Sequence, residues 1–220
     1  MNRIKIATAL TAAGLTLGLT VAAPAQASAT ARAASCPDVD VVFARGSGEP
    51  AGLGVPGTAF AASLASDLPG KDVVDYAVNY AASKTQLSTS AGAADMSDHI
   101  VSLAAQCSGT LFVIGGYSQG ASSTDQATRV LPTLLGKTIP PALTSRVAAV
   151  VAFGNPSHLL FLNPTQASPI YGPKWEDYCA SGDPVCRSGL NMDAHVSYVD
   201  NGDTSAGAMF AAAKVLGAEG

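Results

Sequence analysis

Residues 110–120 read TLFVIGGYSQG, and this stretch decides the fold class of the chain. The apolar run from Thr110 to Gly115 predicts a buried strand, and the pattern from Gln119 to Leu131 predicts a helix. Between them, Ser118 lies in Gly116-Tyr117-Ser118-Gln119-Gly120, which matches G-x-S-x-G. A serine on a sharp turn between a strand and a helix is typical of a nucleophile elbow, where glycines avoid steric collisions. The alternative interpretation is an ordinary glycine-rich turn.

Outside this turn, short apolar runs alternate with helical patterns. The apolar runs predict three more strands, at Asp38–Ala44, Val73–Val78 and Arg146–Phe153. Helical patterns occur at Pro56–Leu68, Ala91–Gln106 and Ala206–Leu216. The stretch Gly154–Gly189 is predicted to form loops, because it is rich in Pro, Gly and Asn. Apolar strands that alternate with helices indicate one α/β domain with a central, mostly parallel sheet and helices on both faces.

The first residues have the features of an export signal. Two basic residues precede an uncharged, mostly apolar stretch, Ile6–Ala23, and an A-x-A cleavage pattern follows. We therefore predict a signal peptide at residues 1–27, a flexible segment at 28–35 and a secreted protein. Cleavage after Ala29 or Ala34 remains open. An uncleaved membrane anchor is the alternative, which the glycines and threonines of the apolar stretch disfavour.

The charge of the chain argues against some classes of partner. The sequence has 16 acidic and 12 basic residues, a formal net charge of −4, and no cluster of Lys and Arg. Such a chain is a poor candidate for binding nucleic acid or an anionic membrane surface. No later hydrophobic stretch is long enough for a transmembrane helix, so we expect no integral membrane association. We also expect a monomer.

Four cysteines, an even number in an exported chain, predict two disulfides. Three connectivities are possible. Pairing near neighbours joins Cys179 with Cys186 and leaves Cys36 with Cys107, although the sequence alone does not decide between the three. A zinc site is the competing interpretation. It is weak because the chain has no C-x-x-C pair and its histidines are scattered.

A nucleophilic serine needs a base, and the base needs a carboxylate that orients it. In α/β hydrolases the nucleophile, the acid and the base follow one another in that chain order. His99 precedes the elbow and is predicted to lie on a helix surface, and only Asp125 lies between Ser118 and His158 among acidic residues. His195 follows four further acids: Glu176, Asp177, Asp183 and Asp193. We therefore predict His195 as the base.

Among these acids, Asp183 is the predicted partner of the base. It lies in residues 179–186, CASGDPVC, a loop that a short disulfide would make rigid. An imidazole is oriented only by a carboxylate that stays in place. The alternative is a turn aspartate in Gly-Asp-Pro, a common local role.

Two donors are expected for the oxyanion of an acyl-transfer intermediate. One is the backbone N–H of Gln119, the residue after the nucleophile. The other is Ser47, in the loop ARGSGE (44–49) that follows the first strand. That loop lacks G-x-x-x-x-G-K-[ST], so phosphate binding is not supported, and a plain glycine turn is the alternative.

These motifs together resemble the cutinase family, over about Cys36 to Gly217. The resemblance rests on ARGSGE (44–49), GYSQGA (116–121), FGNP (153–156), CASGDPVC (179–186), and His195 followed by Tyr198. It implies a compact α/β-hydrolase domain at 36–220, with Ser118, Asp183 and His195 as catalytic triad. It also implies Ser47 and Gln119 at the oxyanion hole, and the pairings Cys36–Cys107 and Cys179–Cys186.

The resemblance, which is strongest to the actinobacterial, cutinase-like esterases, also implies a serine carboxylic ester hydrolase. The expected substrates are short- to medium-chain acyl esters, and family members also hydrolyse cutin polyester and lipids. No metal or cofactor is required. An acetylxylan esterase with the same triad and a catalytically silent secreted binding protein are the alternatives. The segment Leu159-Leu160-Phe161-Leu162, with Leu190 and Val196, either lines an acyl groove or packs in the core.

Overall fold

A computed structural model of the protein describes residues 36–132 and 136–218. The predicted signal peptide at 1–27 and the segment at 28–35 lie outside the described residues. The described part contains five strands, all parallel, in one sheet of order β2-β1-β3-β4-β5. The strands are β1 (Val39–Ala44), β2 (Val73–Ala77), β3 (Leu111–Tyr117), β4 (Val147–Phe153) and β5 (Trp175–Tyr178). The α/β fold with a parallel sheet is therefore confirmed.

Helices cover both faces of this sheet. Those in the described part are α1 (Gly54–Asp67), α2 (Thr89–Gln106), α3 (Gln119–Ala127), α4 (Pro164–Ala167), α5 (Met192–His195) and α6 (Asp203–Gly217). Short 3-10 helices occupy Pro141–Arg146, Pro156–Leu160 and Gly172–Lys174. One core, which contains Phe43 and Phe60, lies under α1 and α6, and a second, which contains Ile114 and Ile100, lies under α2 and α3. All residues of β1 and β4 are buried, as a sheet covered on both sides requires.

Three expectations about the elements were wrong or incomplete. The elbow helix was expected to reach Leu131, but α3 ends at Ala127 because Arg129 adopts a left-handed backbone with φ of 67°. The Thr128 hydroxyl also donates back to the carbonyl of Thr124 at 2.7 Å, which caps this end. The stretch expected to be loops contains β5, a four-residue edge strand that is too short for a periodic signal. The short helix α5, which carries His195, was also missed.

His99 was expected to lie on the surface of a helix. Its side chain is instead mostly buried. Its ring stacks on Tyr76 with centroids 3.5 Å apart, and its Nε2 lies 2.7 Å from Oδ2 of Asp40. Asp40 is a buried carboxylate and the second residue of β1, and the helix α2 supplies it with a partner. The role of His99 is therefore to satisfy a buried charge.

The disulfides join Cys36 with Cys107 and Cys179 with Cys186. These are the pairings that the family resemblance implied. The first connects the start of β1 to the end of α2, and the second closes a loop after β5. Because all four cysteines are bonded to one another, the zinc interpretation is wrong.

A buried polar cluster joins α3 to the loop after β4 and to β5. Asp125 accepts a hydrogen bond from Nδ2 of Asn155 at 3.1 Å and another from the hydroxyl of Ser157. Asn155 also donates to Oδ2 of Asp177 at 3.1 Å, and Nε2 of His158 lies 3.2 Å from the same oxygen. Burial raises the pKa of Asp125 to about 7, although the hydrogen bond from Ser157 opposes the shift. This carboxyl group therefore changes its charge near neutral pH.

We expect the free energy of unfolding to fall as the pH rises, because Asp125 must lose its proton inside the fold. A folded pKa above the unfolded value gives stability that is complete below the unfolded pKa and is lost through the folded pKa. Between pH 5 and 8, the loss from Asp125 should be about 2–3 kcal/mol. His158, whose pKa the neighbouring Asp177 carboxylate raises, contributes in the same direction.

Urea unfolding at pH 5 and pH 8 measures this loss. In Asp125→Asn the pH dependence should be smaller by that amount, because the side chain no longer titrates. In Asp75→Asn, which changes an exposed carboxylate, it should stay as in the wild type. An Asp125→Asn variant with the full wild-type dependence would show that this carboxyl group does not titrate near neutral pH in the fold.

Candidate active site

The serine of the G-x-S-x-G motif lies on a strained turn at the end of β3, the central strand. Ser118 has φ of 54° and ψ of −116°, a backbone conformation that non-glycine residues rarely adopt. Its N–H donates to the carbonyl of Phe153 at 2.9 Å, which ties the turn to the end of β4. The turn presents the hydroxyl at the carboxyl edge of the sheet, where ligands bind in α/β folds.

The two glycines of the motif are required by close packing. A Cβ at Gly116 would lie 2.2 Å from the carbonyl of Gly120. A Cβ at Gly120 would lie 1.8 Å from the carbonyl oxygen of Ala44, at the end of β1. Because neither contact can relax without moving the backbone, only glycine allows α3 to start directly against the sheet.

Ser118, His195 and Asp183 meet at this edge. Nε2 of His195 lies 3.0 Å from Oγ of Ser118, and Nδ1 lies 2.8 Å from Oδ2 of Asp183. Asp183 is completely buried, and Ser118 and His195 are less than one tenth exposed. Both distances are within hydrogen-bonding range, so the hydroxyl, imidazole and carboxylate form one continuous chain.

Three hydrogen bonds hold the carboxylate of Asp183. Its Oδ1 accepts from the N–H of Val185 at 2.7 Å, and its Oδ2 accepts from Oη of Tyr198 at 2.5 Å as well as from His195. Burial alone would raise the pKa of Asp183, but the hydrogen bonds from Tyr198 and His195 outweigh it, and the pKa lies below its usual value. The disulfide between Cys179 and Cys186 closes the loop that carries this residue.

His195 ends the short helix α5, which Asn191 caps by accepting from the N–H of Asp193 at 3.0 Å. The hydroxyl of Tyr117 donates to the carbonyl of His195 at 2.8 Å. Gly154 packs against the ring so closely that a Cβ there would lie 2.8 Å from Cε1. The imidazole is therefore fixed by contacts from β3 and from the loop after β4.

Of the two expected oxyanion donors, one follows the serine directly in the chain and the other lines the same cleft. Gln119 is the first residue of α3, so its N–H has no acceptor within the helix. Ser47 lines the same cleft as Ser118, in a loop that Glu49 stabilises by accepting from the N–H groups of Gly46 at 2.6 Å and Val55 at 2.7 Å.

The cleft above Ser118 has a volume of about 960 Å³. Leu159 and Val196, two residues expected to line an acyl groove, do lie on its wall. The core-packing alternative is wrong for the neighbouring Leu160, Phe161 and Leu190, whose side chains are 61%, 98% and 101% exposed. The cleft is thus bordered by exposed apolar side chains.

Within the described ranges, no group of three or more His, Cys, Asp or Glu side chains is placed to hold a metal ion. The described helices include none that is long and apolar enough to span a bilayer.

A family model described as Cutinase matches residues 35–215, which include every residue of this site. The chain belongs to the cutinase family. The resemblance drawn from the sequence motifs is thereby confirmed, and the prediction of a carboxylic ester hydrolase is confirmed at the level of the family.

Relatives within the family carry names of esterases. The chain is 50% identical over 189 residues to a cutinase of Kineococcus radiotolerans, an alignment that covers 84% of this chain and 64% of that protein. The chain thus spans slightly less than two thirds of that relative. It is 42% identical to phospholipase Culp4 of Mycobacterium tuberculosis, over 96% of this chain and 90% of that protein. It is 44% identical to carboxylesterase Culp1 of the same species, over 87% of this chain and 88% of that protein.

Solved structures of cutinases have the same fold. A Trichoderma reesei cutinase in complex with a phosphonate inhibitor superimposes with a TM-score of 0.66 and 29% sequence identity. The match covers 82% of this chain and 77% of that one.

Motif reasoning missed some residues that complete this cutinase-family site. Tyr198 was noted only as part of a motif, and neither Tyr117 nor Gly154 was assigned a role, although all three contact His195 or Asp183. The spacing of His195 and Tyr198 was a visible signal for the first. The other two also lie in recognised motifs, GYSQGA and FGNP, but no local pattern indicates their roles, because their contacts form only between distant segments.

Proposed function

We propose that the protein is a secreted serine carboxylic ester hydrolase of cutinase type, with Ser118, His195 and Asp183 as catalytic triad. The observation that carries the proposal is the hydrogen-bonded chain from the Ser118 hydroxyl through the His195 imidazole to the Asp183 carboxylate. Ser118 and His195 line a large open cleft, which supports a role on an external substrate. The names of the family relatives, a cutinase, a phospholipase and a carboxylesterase, support ester hydrolysis.

Nε2 of His195 takes the proton from Ser118 as the hydroxyl oxygen attacks the carbonyl carbon of the ester. A C–O bond forms, and the carbonyl oxygen becomes an oxyanion. Asp183 holds the Nδ1–H of His195 and balances the charge of the imidazolium. The imidazolium then gives its proton to the departing alcohol, and an acyl-serine remains. Water, activated by the same imidazole, releases the acid and restores Ser118.

The oxyanion is stabilised by the backbone N–H of Gln119 and by Ser47, through its N–H or its hydroxyl. Glu49 holds this loop from within by accepting from Gly46, and the guanidinium of Arg45 donates to the carbonyl of Tyr80 at 2.7 Å. A loop held in this way keeps its donors aimed without reorganisation during the reaction, which is the condition for electrostatic stabilisation.

We propose short- to medium-chain acyl esters as substrates, with lipid and polyester esters as larger ones of the same chemistry. Leu87, Leu159, Met192 and Val196 line the cleft with apolar surface, and Met192 and Val196 are more than half exposed. Apolar surface of this kind binds acyl chains through burial of their methylene groups. Two disulfides support secretion into an oxidising environment. We propose that the enzyme acts as a monomer.

A chain-length series of nitrophenyl esters tests this proposal. We expect kcat/KM to rise by about tenfold from acetate to butyrate, because each buried methylene contributes about 0.8 kcal/mol. Acetylated xylan and a dioctanoyl phospholipid, run beside the series, separate an acetylxylan esterase and a phospholipase from a general esterase. A preference for acetate over butyrate together with rapid deacetylation of xylan would contradict the proposed substrate class. If none of these esters is hydrolysed, the hypothesis of a catalytically silent binding protein would replace the proposal.

A further inference from the structure

Tyr198 belongs to a recognised motif, but the sequence assigned it no role. It lies between α5 and α6, and its side chain is completely buried. Its Oη lies 2.5 Å from Oδ2 of Asp183, the same carboxylate oxygen that lies 2.8 Å from Nδ1 of His195. Two donors that lie three residues apart in the chain therefore converge on one oxygen atom.

The direction of the Tyr198 hydrogen bond is determined by a second contact. The N–H of Ala180 donates to Oη of Tyr198 at 3.2 Å. A phenol has one proton to donate. Because Oη already accepts from Ala180, that proton is left for Asp183. Burial and the nearby Asp183 carboxylate both raise the pKa of Tyr198, so the phenol keeps its proton around neutral pH.

The ring of Tyr198 is held in place by the core. It packs against Phe153 and Tyr117, each with ring centroids 5.9 Å away. It also lies near the disulfide, with Oη 3.5 Å from Sγ of Cys186. The phenol is thus positioned by β3, β4 and the CASGDPVC loop independently of His195, and it connects the two segments that carry the acid and the base.

We propose that Tyr198 is a positioning residue of the triad, which fixes Oδ2 of Asp183 and moderates how tightly this carboxylate holds the protonated His195. The inference rests on the proposed function. The Tyr198 proton takes up part of the negative charge on Oδ2, and less of that charge remains for the imidazolium. The phenol therefore weakens the hold of the Asp183 carboxylate on the imidazolium.

The other titratable groups around this pair do not replace the phenol. From β3, Tyr117 directs its hydroxyl to the carbonyl of His195. Burial raises the pKa of Tyr117, and the negative charge of Glu49, in the loop after β1, raises it further. Arg187 follows the disulfide loop, and its Nε lies 3.2 Å from Sγ of Cys179. These charges are the same in wild type and in Tyr198→Phe, so a difference between the two reports on the phenol.

The test is the pH dependence of kcat/KM for nitrophenyl butyrate in wild type and Tyr198→Phe. Without the phenol, Oδ2 carries more charge and holds the imidazolium more tightly. We expect the acidic midpoint of the profile to move up by about half to one pH unit. We expect the plateau to fall by about three- to tenfold with KM unchanged, because the carboxylate is less well fixed. The low-field proton NMR signal of the Nδ1–H should shift as well.

Two further variants make the result decisive. Tyr76→Phe removes a hydroxyl that donates to Asp95 at 3.0 Å, far along the chain from the triad, and it should leave the midpoint unchanged. Placing 3-fluorotyrosine at position 198 keeps the shape of the side chain and makes the phenol a stronger donor. The midpoint should then move down, and this variant alone decides the question if Tyr198→Phe does not fold.

An acidic midpoint that stays in place in both position-198 variants overturns the inference, even if the rate falls, because a merely structural role lowers the rate without moving the midpoint. This outcome is distinct from failure of the proposed function. Ester hydrolysis that survives Ser118→Ala would refute the triad itself, whatever Tyr198 does.

Discussion

Ser118→Ala is expected to lower kcat for nitrophenyl butyrate by about 10⁶-fold. The variant removes the only atom of the site that is proposed to bond to the acyl carbon. His195 and Asp183 stay hydrogen-bonded to each other, so the residual rate should come from substrate binding and the oxyanion donors alone. Initial rates at saturating ester, with active enzyme quantified by protein mass, measure the effect.

Ser122→Ala is the matched control. Ser122 lines the same cleft one turn further along α3, so its hydroxyl also faces the space that substrate would occupy. This variant should keep the wild-type rate within a few fold. An alkyl phosphonate ester should add one covalent label to wild type and to Ser122→Ala, and none to Ser118→Ala. A label that persists in Ser118→Ala would show that another residue is the nucleophile.

Asp183→Asn is expected to lower kcat by about 10⁴-fold. The reason lies in the three donors around the carboxylate. His195 and Tyr198 both direct a proton to Oδ2, and Val185 directs its N–H to Oδ1. An amide has one acceptor oxygen, so its NH₂ group must face a donor in either orientation. The imidazole then loses its orientation or its tautomer, and the protonated form loses its counter-charge.

Asp193→Asn is the control for this second prediction. Asp193 is an exposed carboxylate on α5, two residues before His195, and it was one of the rival acids in the chain-order argument. Its replacement should leave kcat within about twofold, since exposed charges are strongly screened. If Asp193→Asn loses activity and Asp183→Asn keeps it, the acid of the triad has been assigned to the wrong residue.

The parts of the fold that were predicted are those with strong local signals. The apolar runs of β1, β3 and β4 are continuous because both faces of the sheet are covered, and each boundary came within two residues. The missed strand β5 has four residues, and two of them are charged at a half-buried edge. It forms a strand because it pairs with β4 through backbone hydrogen bonds, and residues 175–178 carry no local signal of this pairing.

The candidate site divides along the same line. Ser118 was indicated by a motif whose two glycines are required by close packing, one against the other and one against the end of β1. Asp183 and His195 were chosen by chain order and by the resemblance to the cutinase family. The cluster around Asp125 was not foreseen, because its members come from α3, from the loop after β4 and from β5.

By itself the sequence determined the alternation of strands and helices, the sharp turn at Ser118, and the chemistry available in three side chains. These properties depend on steric exclusion and on the spacing of apolar residues over a short stretch, both of which are encoded locally in the sequence. Only the tertiary structure decided that Ser118 meets a histidine 77 residues away, that this histidine meets Asp183, and that Tyr198 meets the same carboxylate. A hydrogen bond depends on separation to a fraction of an ångström, and such separations are set by the packing of every intervening element.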